Sequence, residues 1–280
     1  MNRKFLLAAS IGAAVACAGP AAGQSADRRL CAPAAAGDWD RSIAACSRLV
    51  AAGTLEPGER AAAHFHRGTF YLRKGDAGRA IQDYDATLRL DPGNVVALNR
   101  RGDAYSHKAD FARALADYDA AVRLDPRYAL AFRNRARIHF FRGDFVAAAE
   151  DFRTAERIDR GNAYSLIWRY VAEARAGIVD RSGLHRGLAA LREGWPKPIV
   201  LNYLGRMSEA AVLAAAAADA KNRPEQECEA HFFLGQQHIL AGATEAAIAA
   251  LRQALALCPS HIVEYHATRV ELRRLGVPAP

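Results

Sequence analysis

One pattern occurs three times between residues 61 and 160, and it constrains the fold more than any other feature of the chain. Residues 80–92 and 114–126 match closely at an offset of 34 residues, and the glycines at 68 and 102 keep the same offset. A third copy continues the spacing through Ala136, His139, Ala148, Phe152, Ala155 and Arg160. A unit of this length is too short to bury its own apolar face, so consecutive units must stack on one another.

Small and large residues alternate within each copy in a way that suits two packed helices. Gly68 and Gly102 predict a close approach of the first helix to the second, because a side chain there would separate the backbones. Pro92 and Pro126 end the second helix, since the residue before proline avoids the α conformation. The other recurring positions are small at Ala80, Ala114 and Ala148, aromatic at Tyr84, Tyr118 and Phe152, and helix-capping at Asp76, Asp110 and Asp144.

The 34-residue period, with its small, aromatic and closing proline positions, resembles the tetratricopeptide repeat (TPR). The resemblance implies an all-α fold, a right-handed TPR superhelix of antiparallel helix pairs with helical caps. The expected organisation is a signal peptide at 1–23, a degenerate N-terminal helical cap at 24–60, three repeats at 61–160, an irregular helical segment at 161–223, a further repeat at 224–260, and a capping helix with its tail at 261–280.

The first 23 residues are typical of a bacterial export signal. Arg3 and Lys4 precede an apolar stretch at 5–16 that is too short to span a bilayer as a mature helix. Residues 14–17 fit a permissive lipobox, which makes Cys17 a candidate for lipidation. Cleavage after Ala18 or Gly23 would instead release a soluble periplasmic protein. The sequence therefore predicts a location in the periplasm or at the outer membrane, with membrane contact only through a lipid anchor.

Four cysteines remain once Cys17 is set aside. In an oxidising compartment the pairs Cys31 with Cys46 and Cys228 with Cys258 are predicted to form disulfides. A zinc-type site is the alternative, with the four ligands Cys228, His231, Cys258 and His261, and it would make the chain a metal-binding protein or a metal-dependent enzyme. These cysteines could also be simple buried small residues.

The net charge of +8 does not by itself indicate a nucleic-acid partner. Its arginines are dispersed along predicted helices without interleaved aromatics, and we interpret them as solvated surface. The chain contains no His-Glu-x-x-His, Gly-x-Ser-x-Gly or P-loop motif. We therefore expect no enzymatic activity, no cofactor and no nucleic-acid binding, and we expect a protein partner instead.

The first helix of each TPR lines the concave face, so its inward positions define a candidate peptide-binding groove. These positions are Phe65, Thr69, Arg73, Asn99, Asp103, His107, Arg133, Arg137 and Phe140. Polar groups could bond a peptide backbone while the aromatics take its side chains, although Phe140 and Phe141 could equally pack against the following helix. The positions that carry the carboxylate clamp of chaperone adaptors hold Phe65, Thr69, Arg100, Leu130 and Asn134, which do not reproduce that clamp.

The C-terminal half carries a second, narrower resemblance. Residues 165–173, the loop around Trp195, residues 202–208, residues 229–236 and the helix around Tyr265 follow the order and spacing seen in NlpI-type TPR lipoproteins. That resemblance implies a homodimeric cell-envelope adaptor that binds peptidoglycan endopeptidases and a processing protease.

Overall fold

The computed structural model describes residues 20–32, 38–178, 180–259 and 262–279, and the regular structure in these ranges is α-helical. The helices are α1 Pro20–Leu30, α2 Trp39–Ala51, α3 Pro57–Arg73, α4 Ala77–Leu90, α5 Val95–His107, α6 Phe111–Leu124, α7 Ala129–Arg142, α8 Phe145–Ile158, α9 Ala163–Arg175, α10 Ser182–Leu188, α11 Lys197–Tyr203, α12 Glu209–Ala217, α13 Arg223–Leu240, α14 Thr244–Leu257 and α15 Val263–Arg274. Most of the predicted signal peptide, with Cys17, lies outside the described residues. None of the helices in these ranges combines the length and apolarity of a transmembrane span.

Successive helices form antiparallel pairs that stack in sequence order. The four main hairpins are α3 with α4, α5 with α6, α7 with α8, and α13 with α14. Each of the first two hairpins packs on the next through its second helix, α8 of the third hairpin packs on α9, and α2 packs on α3 at the N-terminal end. The predicted all-α TPR superhelix is confirmed.

The glycines of the repeat lie where the two helices of a hairpin are closest. A Cβ added at Gly102 would lie 2.6 Å from the ring of Tyr118, and one at Gly68 would lie 3.1 Å from the ring of Tyr84. Both aromatic rings are buried. The close-approach interpretation of these glycines is confirmed, because the aromatic residue of the second helix occupies the space that a side chain would need.

The turn inside each of the first three hairpins contains one residue in the left-handed conformation, and this residue is glycine in two hairpins and alanine in the other. Gly75 and Gly143 have φ of 82° and 89°, whereas Ala109 adopts φ of 58° at the same point of the second repeat. The following Asp76 and Asp110 accept hydrogen bonds from the first-turn amides of α4 and α6, as predicted. Asp144 also occupies the predicted N-cap position, that of α8, but its side chain accepts no such bond.

Three arginines that we interpreted as solvated surface instead form a ladder of ion pairs between helices. In each of the first three hairpins, an arginine of the first helix donates two hydrogen bonds to the carboxylate of an aspartate of the second helix. The pairs are Arg67 with Asp83, Arg101 with Asp117 and Arg135 with Asp151, at 2.6–2.8 Å. Arg101 and Arg135 also donate to Asp85 and Asp119 of the preceding hairpin, at 2.6 and 2.7 Å. The ladder therefore ties together the helices of one hairpin and also consecutive hairpins.

The segment after the third hairpin departs from the repeat because its helices are short. Only seven residues form α10, against 14 in α8, and α11 and α12 have seven and nine. Trp168 of α9 compensates by filling the centre of the core, where its ring contacts four phenylalanines: Phe140, Phe152, Phe232 and Phe233. One core therefore runs from the second hairpin to α15.

Two disulfides are present, and they join the same pairs of cysteines that the sequence predicted. Cys31 pairs with Cys46 across α1 and α2, with Cα atoms 5.0 Å apart. Cys228 and Cys258 join the start of α13 to the end of α14, with Cα atoms 4.8 Å apart. A cysteine in a disulfide is not a thiolate, so in this state neither Cys228 nor Cys258 can ligate zinc. His261, the fourth residue of the alternative zinc site, lies outside the described residues.

Candidate functional site

The inner groove contains a cavity of about 290 Å³ between α5, α7 and α15. Its polar lining is Arg100, Asp103, Ser106, His107, Tyr118, Asn134, Arg137 and His266, and its apolar lining is Leu72, Leu130, Ile138, Phe141, Ile262 and Val263. Three of the nine predicted groove residues line it: Asp103, His107 and Arg137. Arg100 and Asn134 line it too. From the sequence, these two residues were noted only because they occupy positions of the carboxylate clamp, which this chain does not reproduce.

Asp103 is the centre of the hydrogen-bond network under the cavity. Its Oδ1 accepts from the Tyr118 hydroxyl at 2.9 Å and from Asn134 Nδ2 at 2.8 Å, and its Oδ2 accepts from Arg100 at 3.2 Å. Burial raises the pKa of Asp103 above the ordinary aspartate value, while Arg100 and Tyr118 oppose the rise. These bonds fix the orientation of Arg100 and Asn134, two of the polar groups that line the cavity.

Arg137 supplies the second guanidinium of the cavity. Its Nη1 donates to Asn134 Oδ1 at 3.1 Å, and its Nε is buried with no hydrogen-bond partner among the described residues. A buried, unpaired guanidinium nitrogen costs free energy, and an acceptor placed in the cavity would remove that cost. The arrangement can therefore bind the carbonyl or carboxylate oxygens of an extended ligand.

The C-terminal helix α15 covers one side of this cavity, which the sequence did not predict. Arg274 donates to the carbonyl oxygens of Phe140 and Phe141 at the end of α7, each at 2.9 Å. The ring of His266 lies 5.7 Å from that of His107, centroid to centroid. The C-terminal helix is thus a wall of the groove as well as a cap on the last hairpin.

Phe65, Thr69 and Arg73 lie on α3, away from this cavity. Phe65 borders a separate depression near the start of α5. The Thr69 hydroxyl donates to the Phe65 carbonyl at 2.9 Å, and Arg73 stacks over Trp39 at 4.8 Å. These three predicted groove residues of the first repeat therefore do not line the cavity.

The structure corrects three further groove residues. Phe140 is fully buried and meets Trp168 edge-to-face at 5.0 Å, so the packing alternative considered above applies to it. Asn99 is also fully buried, below the cavity, where its Oδ1 accepts from Asn134 at 3.0 Å. Arg133 points away from the cavity and pairs with Asp159 at 2.9 Å.

Comparison with known proteins agrees with this architecture. A family model described as tetratricopeptide repeat matches residues 32–95 and 99–163. These two segments are tetratricopeptide repeats. No curated protein matches the chain.

Two solved structures illustrate the likeness of the fold. A tetratricopeptide repeat protein from Parabacteroides merdae is 15% identical over 89% of this chain and 99% of its own, with a TM-score of 0.60. The MamA protein is 20% identical over 60% of this chain and 87% of its own, with a TM-score of 0.51. At such identities the likeness concerns the fold, and the resemblance to NlpI-type lipoproteins stays a prediction.

Two buried glutamates, Glu229 of α13 and Glu264 of α15, lie close enough to influence each other's charge. Glu229 accepts from the Tyr164 hydroxyl at 2.9 Å and from the Trp195 indole at 2.5 Å. Burial, followed by the negative charge of Glu229, raises the pKa of Glu264 on α15 to about 7. Burial also raises the pKa of Glu229. The folded protein therefore keeps a proton on this pair at pH values where the unfolded chain releases it.

Glu264 should make the protein less stable as pH rises. Because its folded pKa lies above its unfolded value, the folded state binds more protons between about pH 4.5 and 7, and stability falls across that window. Glu264→Gln should reduce this fall to the part that Glu229 contributes, and it should be more stable than the wild type above pH 7. Urea denaturation at a series of pH values measures both the pH dependence of stability and the difference in stability between the variant and the wild type. The exposed Glu245→Gln is the control, and a Glu264→Gln curve parallel to the wild type would contradict the assignment.

Proposed function

We propose that this protein is a non-enzymatic scaffold of the bacterial cell envelope that binds a peptide segment of a partner protein in its inner groove. The observation that supports this most directly is the pair of guanidiniums, Arg100 and Arg137, facing one cavity from consecutive repeats. Apolar side chains from α3, α7 and α15 flank them. Donors fixed by a buried network, next to apolar walls, suit recognition of an extended peptide.

The location and the partner class come from the sequence. The export signal at 1–23 supports a periplasmic or outer-membrane location, with lipidation at Cys17 as one of its two forms. The resemblance of the C-terminal half to NlpI-type lipoproteins supports a cell-wall hydrolase or a protease as the partner, and a homodimeric scaffold. Intact mass spectrometry of the exported protein would distinguish the lipidated from the soluble form, and light scattering would measure the oligomeric state.

Site-specific photo-crosslinking tests the groove directly. A photoreactive phenylalanine at His107, at the rim of the cavity, should form adducts with a hydrolase or protease in living cells. The same residue at the exposed Val146 of α8, outside the cavity, should not. Combining the His107 probe with Arg100→Ala and Arg137→Gln should lower the adduct yield at least about tenfold, since truncating an arginine that is a binding hot spot costs about 2 kcal/mol or more.

Arg133→Ala is the matched control, because it removes a guanidinium from the same helix as Arg137 but outside the cavity. Its adduct yield should stay at the wild-type level. Circular dichroism must show that the double variant retains its helix content. Equal adducts from His107 and Val146, or equal yields with and without the two cavity arginines, would disprove the groove assignment.

A further inference from the structure

A second cleft, of about 680 Å³, lies between α8, α9 and α10. It exists because α10 occupies the place of a second repeat helix with only seven residues, half the length of α8. The short helix leaves part of α8 and α9 uncovered. On α9, Leu166 and Arg169 face this cleft, whereas Tyr164 and Trp168 of the same helix contact α13. The cleft shares no lining residue with the cavity of the inner groove.

The ion-pair ladder reverses its charge pattern at this cleft. One repeat length of 34 residues beyond the aspartates at 83, 117 and 151 lies position 185. One repeat length beyond the aspartates at 85 and 119 lies position 153. These positions hold His185 and Arg153. Arg169, which continues the ladder of Arg67, Arg101 and Arg135, pairs instead with Glu156 at 2.6 Å and with Glu173 at 2.8 Å.

Positive charge is in excess around the cleft. Five arginines line it: Arg153, Arg157, Arg160, Arg169 and Arg186. The carboxylates that the described residues set against them are Glu156, Glu173 and the nearby Asp180. Arg157 and Arg160 are exposed and have no hydrogen-bond or ion-pair partner among the described residues, and Arg186 donates only to Ser182. Three guanidiniums are thus available to an anionic ligand.

Part of the cleft's lining is apolar, and this feature narrows the class of ligand that fits it. Leu166 and Leu191 line it together with Gly183, Gly187 and Ala190. Gly187 lets α10 lie close to α9, because a Cβ there would be 2.6 Å from Leu166. A free phosphate would use the guanidiniums and leave this apolar part bare. A peptide that carries both carboxylates and aliphatic side chains would use both.

We propose that the cleft between α8 and α10 binds an acidic, leucine-containing peptide segment of a partner protein. Carboxylates pair with the planar forks of Arg157, Arg160 and Arg186, since guanidinium and carboxylate bond bidentately. A leucine side chain lies over the exposed Ala190 and the half-buried Gly187, beneath which Leu166 and Leu191 are buried, and this removes apolar surface from water. This would be a second docking site, independent of the inner groove.

Fluorescence anisotropy with the full mature chain tests this site. The probe is a fluorescein-labelled peptide of alternating glutamate and leucine, measured at about 150 mM salt, where distant surface charges are screened. The variant Arg157→Ala/Arg160→Ala/Arg186→Ala should weaken binding at least about tenfold. The control Arg89→Ala/Arg123→Ala/Arg127→Ala removes the same charge. Arg89 and Arg123 hold the position of Arg157 in the earlier repeats, and this control should change affinity less than about twofold.

Further binding measurements identify the chemistry of the ligand and distinguish the cleft from the inner groove. A glutamine-leucine peptide should not bind, and the three cleft substitutions should weaken binding of the acidic peptide by the same factor in the groove variant Arg100→Ala/Arg137→Gln as in the wild type. Equal weakening in both triple variants would reduce the effect to net charge and overturn the proposal. So would competition by inorganic phosphate or an oligothymidine at least as strong as by unlabelled peptide, or no binding by the wild type up to about 1 mM.

Discussion

Replacing Arg101 by methionine should lower the free energy of unfolding by about 3–5 kcal/mol. Arg101 joins Asp117 of its own hairpin to Asp85 of the preceding one. The side chain of Asp117 is only 8% exposed, so without Arg101 it would keep a buried charge with no counterion. Such a charge costs far more than the loss of a surface ion pair. Urea denaturation followed by far-ultraviolet circular dichroism measures the change.

Two further variants separate the buried charge from other effects of the Arg101 substitution. Arg89→Met removes an exposed arginine of α4 that has no ion-pair partner among the described residues, and it should change stability by less than about 0.5 kcal/mol. Adding Asp117→Leu to Arg101→Met should recover much of the loss, because the stranded carboxylate is then gone. If the double variant were less stable than Arg101→Met, the loss would have to come from packing instead.

Trp168→Ala should also cost about 3–5 kcal/mol, the usual range for removing a large aromatic side chain from a core. The indole is 1% exposed and contacts Phe140 and Phe152 on one side and Phe232 and Phe233 on the other. It therefore joins the third hairpin to α13 across the irregular segment. We expect the C-terminal helices to lose stability first, with proteolytic cleavage appearing between α9 and α13 under native conditions.

Val146→Ala is the control for Trp168→Ala, because Val146 is 58% exposed and its truncation should be nearly neutral. Thermal denaturation and a protease time course cover both variants. A Trp168→Ala protein that melts and is cleaved like the wild type would mean that the two halves of the array are stable without this contact.

The register of the repeat predicted only some of the residues that line the inner groove. Asp103, His107 and Arg137 line the cavity as the register predicted, because one position recurs in every repeat with the same orientation. Phe140 does not, because Trp168 of the next helix fills the space beside it. Register states which way a side chain points within an ideal hairpin. It does not state what a non-repeating neighbour places against it.

The ion-pair ladder was present in the sequence as a signal that we did not use. Arginines at 67, 101 and 135 and aspartates at 83, 117 and 151 recur at the period of the repeat. A charged pair that recurs at the spacing of the helices is a packing feature, by the same argument that applied to the glycines and aromatics. Its interruption at positions 153 and 185 could then have pointed to the cleft beside α10.

The sequence by itself determined the helical hairpins, their order and the internal packing of each repeat, because these depend on contacts between residues close in the chain. Only the tertiary structure decided that α15 forms a wall of the groove and that the short α10 leaves a basic cleft open. Arg274 reaches Phe140 across 134 residues of chain. No periodic pattern encodes such a contact, since it depends on how the whole stack of hairpins curves and on where its irregular segment ends.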